Sequence, residues 1–393
     1  MQPKSNKGKW IIGVIVVIII IIIAILAGGK KSSGDTIKVG IIAPLTGSAA
    51  AYGTEGKNSV VLALDEINAA GGINGKKIEY TVEDGKCDTK GALDAWNKLV
   101  SINKVQVVFG GHCSTESVAI APLSAKAGIP VFAVFATAPK MENEGEWFFR
   151  HVSTNAYYGV VLADEAFKRG YRKTSIIAEQ KDFPGSYADA FIAEFKKLGG
   201  QIVLDERFAP DITDYRTIAL KLKGTGYDSI FVSAQGAPTM GLVTAQIKDL
   251  GLEKFMMYNH AFSYGKFIES SKGYVPKDYI LILPLAEAGS PALKAFNDAY
   301  TAKYGKLYSA ITPYFIAADY DLVHRFRDAA VACMPNGTLD ITCIRDQFKN
   351  ATSYTGAAGT VRIGSDYSPH GAITPVGVAQ YPGGVETITA VSK

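Results

Sequence analysis

A short polar loop after a predicted strand holds the residue types best suited to bind an anion. It spans residues 110–115 and includes Ser114, whose hydroxyl lies at a predicted helix start. Backbone N–H groups at a helix start are unpaired and the helix dipole is positive there, so the position favours a carboxylate. A second hydroxyl, at Thr137, follows the next predicted strand. From the residue types alone, both side chains are more often helix caps or turn residues than ligand contacts. A structural role and an anion site are therefore both compatible with the sequence at this point.

The segment 37–80 positions a further set of polar residues in the same way. It reads as a strand, a small polar loop, an amphipathic helix and a second strand. The first strand is rich in β-branched residues and ends at Pro44, which is typical of a buried strand in a parallel sheet. Ligands of open α/β sheets bind where such strands end. The residues in that position are Thr46, Gly47, Ser48 and Tyr52.

Strands and helices alternate along the rest of the chain, which indicates parallel βαβ units. The predicted strands are 105–109, 130–135, 174–178, 201–208, 229–233 and 254–258, and the predicted helices include 89–103, 187–198, 215–223, 239–250, 291–304 and 314–333. A strand-rich, Gly-containing tail follows. No linker rich in Pro or Ser divides the 393 residues, so two domains of about 150 residues are expected to exchange chain segments at a hinge.

The first 35 residues differ from the rest. Three lysines precede an apolar run at 11–27, which as a helix would span about 26 Å, slightly less than a hydrocarbon core of about 30 Å. The pattern fits either a secretory signal or an uncleaved anchor, and both export the remaining chain. Gly29 stands where a lipoprotein would carry its acylated cysteine, and no small-residue cleavage site is convincing. We expect an extracytoplasmic protein tethered to the cell membrane.

Charge and motifs exclude several functions. The chain has 41 Lys and Arg against 37 Asp and Glu, and five of the lysines lie within the first 35 residues, which leaves the rest balanced. A balanced folded part gives no reason to expect nucleic acid as a partner. The sequence lacks the phosphate-binding P-loop, the H-E-x-x-H metalloprotease motif and the G-x-S-x-G nucleophile motif. We expect neither catalysis nor a metal or cofactor.

The four cysteines suggest disulfides. An even number in an exported chain favours this reading. Proximity in sequence suggests the pairs Cys87–Cys113 and Cys333–Cys343. A zinc site is the weaker alternative, because no C-x-x-C spacing or clustered histidine accompanies them.

Five motifs in order resemble a known family. They are I-x-x-P-L-T-G followed by Y-G, then A-x-x-E-I-N-A-A-G-G-I-N-G-K, Cys87-Asp88, G-G-H-C-S-T and A-T-A-P at 136–139. Together they resemble the type I periplasmic solute-binding proteins of ABC transporters, in the leucine/isoleucine/valine-binding branch. The resemblance spans about residues 36–393 and also supports the Cys87–Cys113 pair.

The resemblance implies an α/β fold of two doubly wound parallel-sheet lobes joined by a three-crossing hinge, preceded here by an N-terminal hydrophobic helix. Lobe 1 would comprise 36–155 and 285–363, and lobe 2 would comprise 156–284 and 364–393. It also implies a monomer that binds a small molecule, an amino acid, and delivers it to ABC permease subunits in the membrane.

By position in the family pattern, lobe 1 would supply the carboxylate site. Ser114, Thr137 and the backbone N–H of Phe135 would hold the carboxylate. Tyr52 would cover the ligand, and Phe315 falls near the family's hinge-side aromatic, although Tyr52 also fits a surface loop and Phe315 a core position.

The second lobe departs from the family pattern. Phe183 and Gln235 match cleft-lining positions where an aromatic hydroxyl is common, and a Phe cannot donate a hydrogen bond. Asn259 matches the position at which the family presents a carboxylate to the ligand's ammonium. Either Glu179 or Asp182 compensates that ammonium here, or the ligand has none.

The sequence therefore predicts a receptor that captures a small amino acid, branched-chain or related, by closing two lobes. The alternative is a sensory receptor for small amides or amino acids. A sensor needs an output domain or a partner, and only nine residues precede Trp10 and the apolar run, which favours transport. His260, a lone histidine, is interpreted as structural.

Overall fold

The computed structural model describes residues 36–381, apart from 134, 144, 211, 310, 366–367 and 374–375. The predicted anchor or signal in residues 1–35 lies outside this part. Within the part described, no helix combines the length and the apolar character needed to cross a membrane.

Lobe 1 is built first, on a five-stranded sheet. Its strands are β1 (Thr36–Ala43), β2 (Lys77–Asp84), β3 (Val107–Gly110), β4 (Val131–Ala133) and β5 (Phe148–Arg150), in the order β2-β1-β3-β4-β5. Its first helices are α1 (Ala50–Ala69), α2 (Thr89–Asn97), which continues as a π-helical segment at Lys98–Asn103, and α3 (Ser114–Ala127). A 3-10 turn lies at Pro139–Asn143. The pairs β1–β3 and β3–β4 are parallel, as predicted, and so is the pair β4–β5, whose second strand was not predicted.

Both faces of this sheet are covered, which explains the apolar runs of its strands. All four residues of β3 are buried, and neighbouring residues of a strand point to opposite faces. Val107 and Phe109 join the core that includes α1, whereas Val108 joins a separate cluster with Trp96 of α2 and Ile120 of α3.

Lobe 2 repeats the plan. Its strands are β6 (Lys173–Glu179), β7 (Gln201–Phe208), β8 (Ser229–Ser233), β9 (Phe255–Tyr258) and β10 (Tyr279–Pro284), and its helices are α4 (Asn155–Lys168), α5 (Asp182–Lys197), α6 (Arg216–Leu220), α7 (Ala237–Asp249) and α8 (Tyr264–Ser270). The pairs β6–β7, β6–β8, β8–β9 and β9–β10 are all parallel.

The chain then returns to lobe 1 and finally to lobe 2. It forms α9 (Pro291–Tyr304), α10 (Pro313–Ala332), α11 (Ile341–Asn350), β11 (Ser353–Gly356), β12 (Gly359–Ser365), β13 (Ser368–Ile373) and β14 (Val376–Tyr381). Helices α9 and α10 pack on α1, and β11-β12-β13 form a small sheet next to β5. Strand β14 pairs antiparallel with β10 and completes the order β14-β10-β9-β8-β6-β7.

The two α/β lobes and the three crossings confirm the predicted fold class. The crossings follow β5, β10 and β13. The domain boundary predicted at 363/364 falls within β12 and stays a prediction. Both predicted disulfides, Cys87–Cys113 and Cys333–Cys343, are present.

The start of one helix was predicted wrongly, and the elements β5, β10, α8 and α11 were not predicted. Helix α5 begins at Asp182, five residues before the predicted start at 187, so Phe183 lies in a first helical turn and not in a loop. Helix α11 was not predicted at all, because the tail was interpreted as strands only.

Candidate functional site

The residues expected at the site follow strands of both sheets, at their carboxyl ends. In lobe 1 they come after β1, β3 and β4, and in lobe 2 after β6, β8 and β9. Parallel strands bring these ends to one edge of each sheet, where α/β proteins bind ligands.

An aromatic stack forms the lobe 1 wall. The ring of Phe135 stacks on Tyr52 with centroids 5.7 Å apart and on Phe315 with centroids 5.1 Å apart, at interplanar angles of 17° and 20°. All three side chains are buried. The loop after β4 and helices α1 and α10 are thus held together by ring contacts, and the sequence-predicted residues Tyr52, Phe135 and Phe315 lie side by side.

The lobe 2 wall is centred on His260. Its ring lies 4.9 Å from that of Phe183, 4.6 Å from Tyr158 and 5.3 Å from Phe315, which belongs to lobe 1. Burial among these rings disfavours the charged imidazole and lowers the pKa of His260 to about 3. His260 is therefore neutral at physiological pH and lies at the junction of the lobes.

Gln235 joins the lobes directly. Its Nε2 donates to the Tyr52 hydroxyl at 2.8 Å. That hydroxyl also lies 2.9 Å from Cys113 Sγ in the disulfide. Burial raises the pKa of Tyr52 far above its ordinary value, with a further contribution from Glu116, so the hydroxyl stays protonated. Gln235 Oε1 is buried and has no hydrogen-bond partner among the described residues.

A small cavity of about 20 Å³ lies between these walls. A space of this size holds about one water molecule. The lining residues are Tyr52, His112, Phe135, Phe183, Gln235, His260, Ala261, Ile311 and Phe315. A solute can enter only when the lobes separate or the rings move.

A wider groove of about 630 Å³ opens beside it, also between the lobes. Cys87, Thr115 and Lys140 line it from lobe 1, and Glu179 and Asp182 line it from lobe 2. Lys140 and Asp182 approach to 3.8 Å across the groove. Because Lys140 is mostly exposed, this ion pair contributes little to closure.

Ser114, which was predicted to hold the carboxylate together with Thr137, is bonded within the protein. Its Oγ accepts hydrogen bonds from the backbone N–H groups of Thr137 and Ala138, each at 3.1 Å. These bonds draw the loop after β4 onto the start of α3. Thr137 Oγ1 is buried and has no hydrogen-bond partner among the described residues, and Thr137 lines neither the cavity nor the groove.

The prediction gave no role to His112, which lines the cavity. Its Nδ1 lies 3.1 Å from the carbonyl oxygen of Ile42, and its Nε2 lies 2.9 Å from Asp319 Oδ2. A carbonyl only accepts, so Nδ1 donates. Burial disfavours the charged ring, but the Asp319 carboxylate outweighs it and raises the pKa of His112. The G-G-H-C-S-T motif contains this histidine and was the available signal.

Gly56 of α1 packs closely against the hydrogen-bonded pair His112 and Asp319. A Cβ there would lie 2.7 Å from His112 Nε2, 2.8 Å from Asp319 Oδ2 and 2.9 Å from the Phe135 ring. No side chain fits at this turn of α1, which explains a glycine inside a 20-residue helix.

A buried carboxylate supports the disulfide behind the site. Glu116 accepts from the backbone N–H groups of Cys87 at 2.9 Å and Cys113 at 3.1 Å. Burial raises the pKa of Glu116 to about 7, although both hydrogen bonds lower it. Glu116 therefore fixes the two cysteine loops and lies behind the cavity wall.

Asn259 is turned into lobe 2. Its Nδ2 donates to Ser233 Oγ at 3.1 Å and to the carbonyl oxygen of Ala234 at 2.8 Å, and its Oδ1 accepts from the N–H of Ala261. It does not line the cavity. In the part of the chain described, no group of three His, Cys, Asp or Glu side chains could hold a metal ion.

Comparison with known proteins agrees with this arrangement. Two walls from two lobes, meeting over a small cavity, define a solute-binding protein of the two-lobed kind. The sequence profile of the periplasmic binding protein family matches residues 36–385, and the chain belongs to this family. The family name implies a place outside the cytoplasm, where the two disulfides can persist.

Individual relatives are more distant. The leucine-, isoleucine-, valine-, threonine- and alanine-binding protein of Pseudomonas aeruginosa is 28% identical over 274 residues, which cover 68% of this chain and 72% of that protein. The branched-chain amino acid transporter substrate-binding protein LivJ of Streptococcus pneumoniae, solved with isoleucine, is 28% identical with a TM-score of 0.78 and covers 91% of this chain and 100% of LivJ.

A third structure shows the same fold with a different ligand. The solute-binding protein of an ABC transporter from R. palustris, in complex with 4-hydroxybenzoate, is 21% identical with a TM-score of 0.78 and covers 91% of this chain and 96% of that one. Solved relatives are thus transporter substrate-binding proteins, with amino-acid and aromatic ligands among them.

Proposed function

We propose that this protein is the extracytoplasmic substrate-binding component of an ABC importer and captures a small carboxylate-bearing solute, an amino acid or a related compound, between its lobes. The observation that carries the proposal is the cavity whose walls come from both lobes, with Gln235 of lobe 2 bonded to Tyr52 of lobe 1. The names of the relatives support the transport role.

Closure follows from the geometry. A ligand that contacts both walls gains its full set of contacts only when the lobes are closed, so it shifts the population toward the closed state. The closed surface then differs from the open one, and ABC permease subunits can distinguish a loaded monomer from an empty one.

The carboxylate is assigned to lobe 1. Thr137 Oγ1 is, like Thr115 Oγ1, a buried hydroxyl of lobe 1 without a hydrogen-bond partner among the described residues, and Thr137 lies in the loop after β4. Ser114 keeps the Thr137 loop against the N-terminus of α3, where the helix dipole favours an anion. Ser114 is therefore a positioning residue and Thr137 a contact residue.

The test is calorimetric titration of the full-length protein in mild detergent with amino acids and short carboxylic acids. Thr137→Val removes the hydroxyl with little change of shape, and should weaken any carboxylate ligand by about 10-fold or more, as expected for a hydrogen bond to a charged group. Thr301→Val, at an exposed position of α9, is the matched control and should bind as the parent does. If Thr137→Val binds as tightly as the control, the assignment of the carboxylate is wrong.

A further inference from the structure

We infer that the solute of this cleft carries no free ammonium group: the site selects small carboxylates whose second polar group is neutral, a hydroxyl or an amide. The inference rests on the proposed function, because it specifies the ligand of the same cavity. It departs from the amino-acid expectation on the chemistry of the lobe 2 wall.

The described residues that line the cavity include no acid. The lining consists of four aromatic rings, two imidazoles, one amide and two aliphatic side chains. A desolvated ammonium without a counter-charge is costly, since its hydration is lost and nothing replaces it. A carboxylate that compensates the ammonium would therefore have to come from a residue outside the cavity lining.

The two nearby carboxylates of lobe 1 are already engaged. Asp319 is bound to His112 at 2.9 Å, and Gly56 keeps that pair in close packing. Glu116 accepts from the backbone N–H groups of two cysteines on the far side of the disulfide. Neither carboxylate can turn to a ligand without leaving a buried donor unpaired.

The candidate acids of lobe 2 are engaged as well. Glu179 Oε2 accepts from the backbone N–H of Gln235 at 2.8 Å, and its Oε1 lies 3.7 Å from Lys181 Nζ. Asp182 lies 3.8 Å from Lys140. Both acids line the outer groove and not the cavity.

Asn259 cannot substitute for an acid in its present orientation. Its Nδ2 donates twice within lobe 2, and its Oδ1 accepts from the N–H of Ala261. Its three hydrogen bonds shape the turn after β9. The residue at the position expected to meet the ammonium is thus a structural residue in this chain.

Two unsatisfied polar atoms indicate what the wall does bind. Gln235 Oε1 and His260 Nδ1 belong to cavity-lining side chains that are at least 97% buried, and neither has a partner among the described residues. Gln235 Oε1 needs a donor, and a neutral imidazole nitrogen accepts or donates according to its tautomer. A hydroxyl or amide on the ligand satisfies such an atom and requires no counter-charge.

An aromatic ring stabilises a cation only weakly, by less than the cost of burying an ammonium without a counter-charge. An aromatic face attracts a cation only when the cation lies over it. Here Phe135 stacks on Tyr52 and on Phe315, so part of the ring surface in this wall is occupied by other rings. The wall is apolar toward the cavity and suits a hydrocarbon or phenyl body.

The experiment uses ligands of one shape and different charge. The full-length protein in mild detergent is titrated with leucine, 2-hydroxy-4-methylpentanoate and 4-methylpentanoate, and with the corresponding series of phenylalanine, 3-phenyllactate and 3-phenylpropanoate. We expect the hydroxy acid of at least one series to bind on the order of 10- to 100-fold more tightly than its amino acid, because the ammonium would remain unpaired.

Two variants separate the causes. Gln235→Glu introduces a carboxylate into the cavity at nearly constant shape and should reverse the preference toward the amino acid. Glu179→Gln removes the acid that could reach an ammonium from the groove, and should leave the ratio of the two affinities unchanged.

The outcomes are distinct. Tighter binding of the amino acid in both series, or a selective loss of amino-acid binding in Glu179→Gln, overturns this inference and leaves the proposed function standing. Binding of no carboxylate in either series overturns both. A hydroxy-acid preference that Gln235→Glu reverses supports both.

Discussion

At the scale of single residues, the site depends on buried polar groups that stabilise other groups. Ser114 shapes the Thr137 loop, Glu116 holds the cysteine loops, and Asp319 holds His112. Sequence motifs identified Ser114 because a hydroxyl at a helix start is a recognisable signal. Glu116 carries no such signal, since its role depends on the burial that the fold creates.

Glu116 should give the protein an unusual pH dependence. Its folded-state pKa of about 7 lies above the ordinary value of 4.5, so the folded state binds the extra proton between these values. The free energy of unfolding should therefore fall as the pH rises from about 4.5 to 7, by about 3 kcal/mol from this group. Urea unfolding of the parent and Glu116→Gln at pH 4.5 and 7.5 measures it.

The variant should show a weaker fall than the parent. Asp321 is a second buried acid whose pKa burial raises to about 6, and it contributes the same sign in both proteins. The comparison between the two proteins isolates Glu116. Equal changes in the parent and the variant would show that Glu116 titrates normally.

At the scale of elements, the sequence predicted most strands and helices but misplaced the start of α5. Residues 183–186 read Phe-Pro-Gly-Ser, which is a turn composition. Proline is also common in the first turn of a helix, because the backbone N–H groups there have no partner within the helix. Asp182 is favourable at the same end, where the helix dipole is positive. Local composition cannot decide between these two uses, whereas packing of α5 on α4 does.

Helix α11 shows the same limit. Asp340 caps it by accepting from the N–H of Cys343, and only Ile344 and Phe348 are buried. Two buried residues among ten give only a weak helical spacing of apolar side chains, so the tail was interpreted as rich in strands. The prediction of the site was incomplete for a similar reason. Tyr52, Phe135 and Phe315 could be assigned from motifs, whereas His112 and Ile311 were recognised as cavity residues only from the tertiary structure.

The link between α10 and the β11–β12 turn is testable. Asp321 accepts from the backbone N–H groups of Ala357 at 2.7 Å and Ala358 at 2.8 Å, and all three residues are buried. Asp321→Ala leaves two buried donors unpaired and should lower the free energy of unfolding by about 2–5 kcal/mol. Asp340→Ala removes only a helix cap and should cost about 1 kcal/mol, as measured by urea unfolding. Equal losses would mean that the Asp321 bonds do not hold the turn.

At the scale of the whole molecule, three crossings join two sheets whose strand ends face a common cleft. Each lobe is built from separate chain segments, so the lobes are joined by the crossings and not by a single tether. Such hinges absorb rotation in a few residues and leave the sheets intact. The contacts across the cleft therefore set the balance between open and closed forms.

Gln235 is expected to contribute more to that balance than the ion pair across the groove. Its bond to Tyr52 is buried, at 2.8 Å, whereas the Lys140–Asp182 pair is longer and partly exposed. Gln235→Leu removes the bond and should shift the ligand-free protein toward separated lobes, which small-angle X-ray scattering detects as a larger radius of gyration. Lys140→Ala is the control and should change the closed population little, because a solvated pair is worth at most about 1 kcal/mol. A radius unchanged by Gln235→Leu, or enlarged as much by Lys140→Ala, would show that the Gln235–Tyr52 bond does not set the closed population.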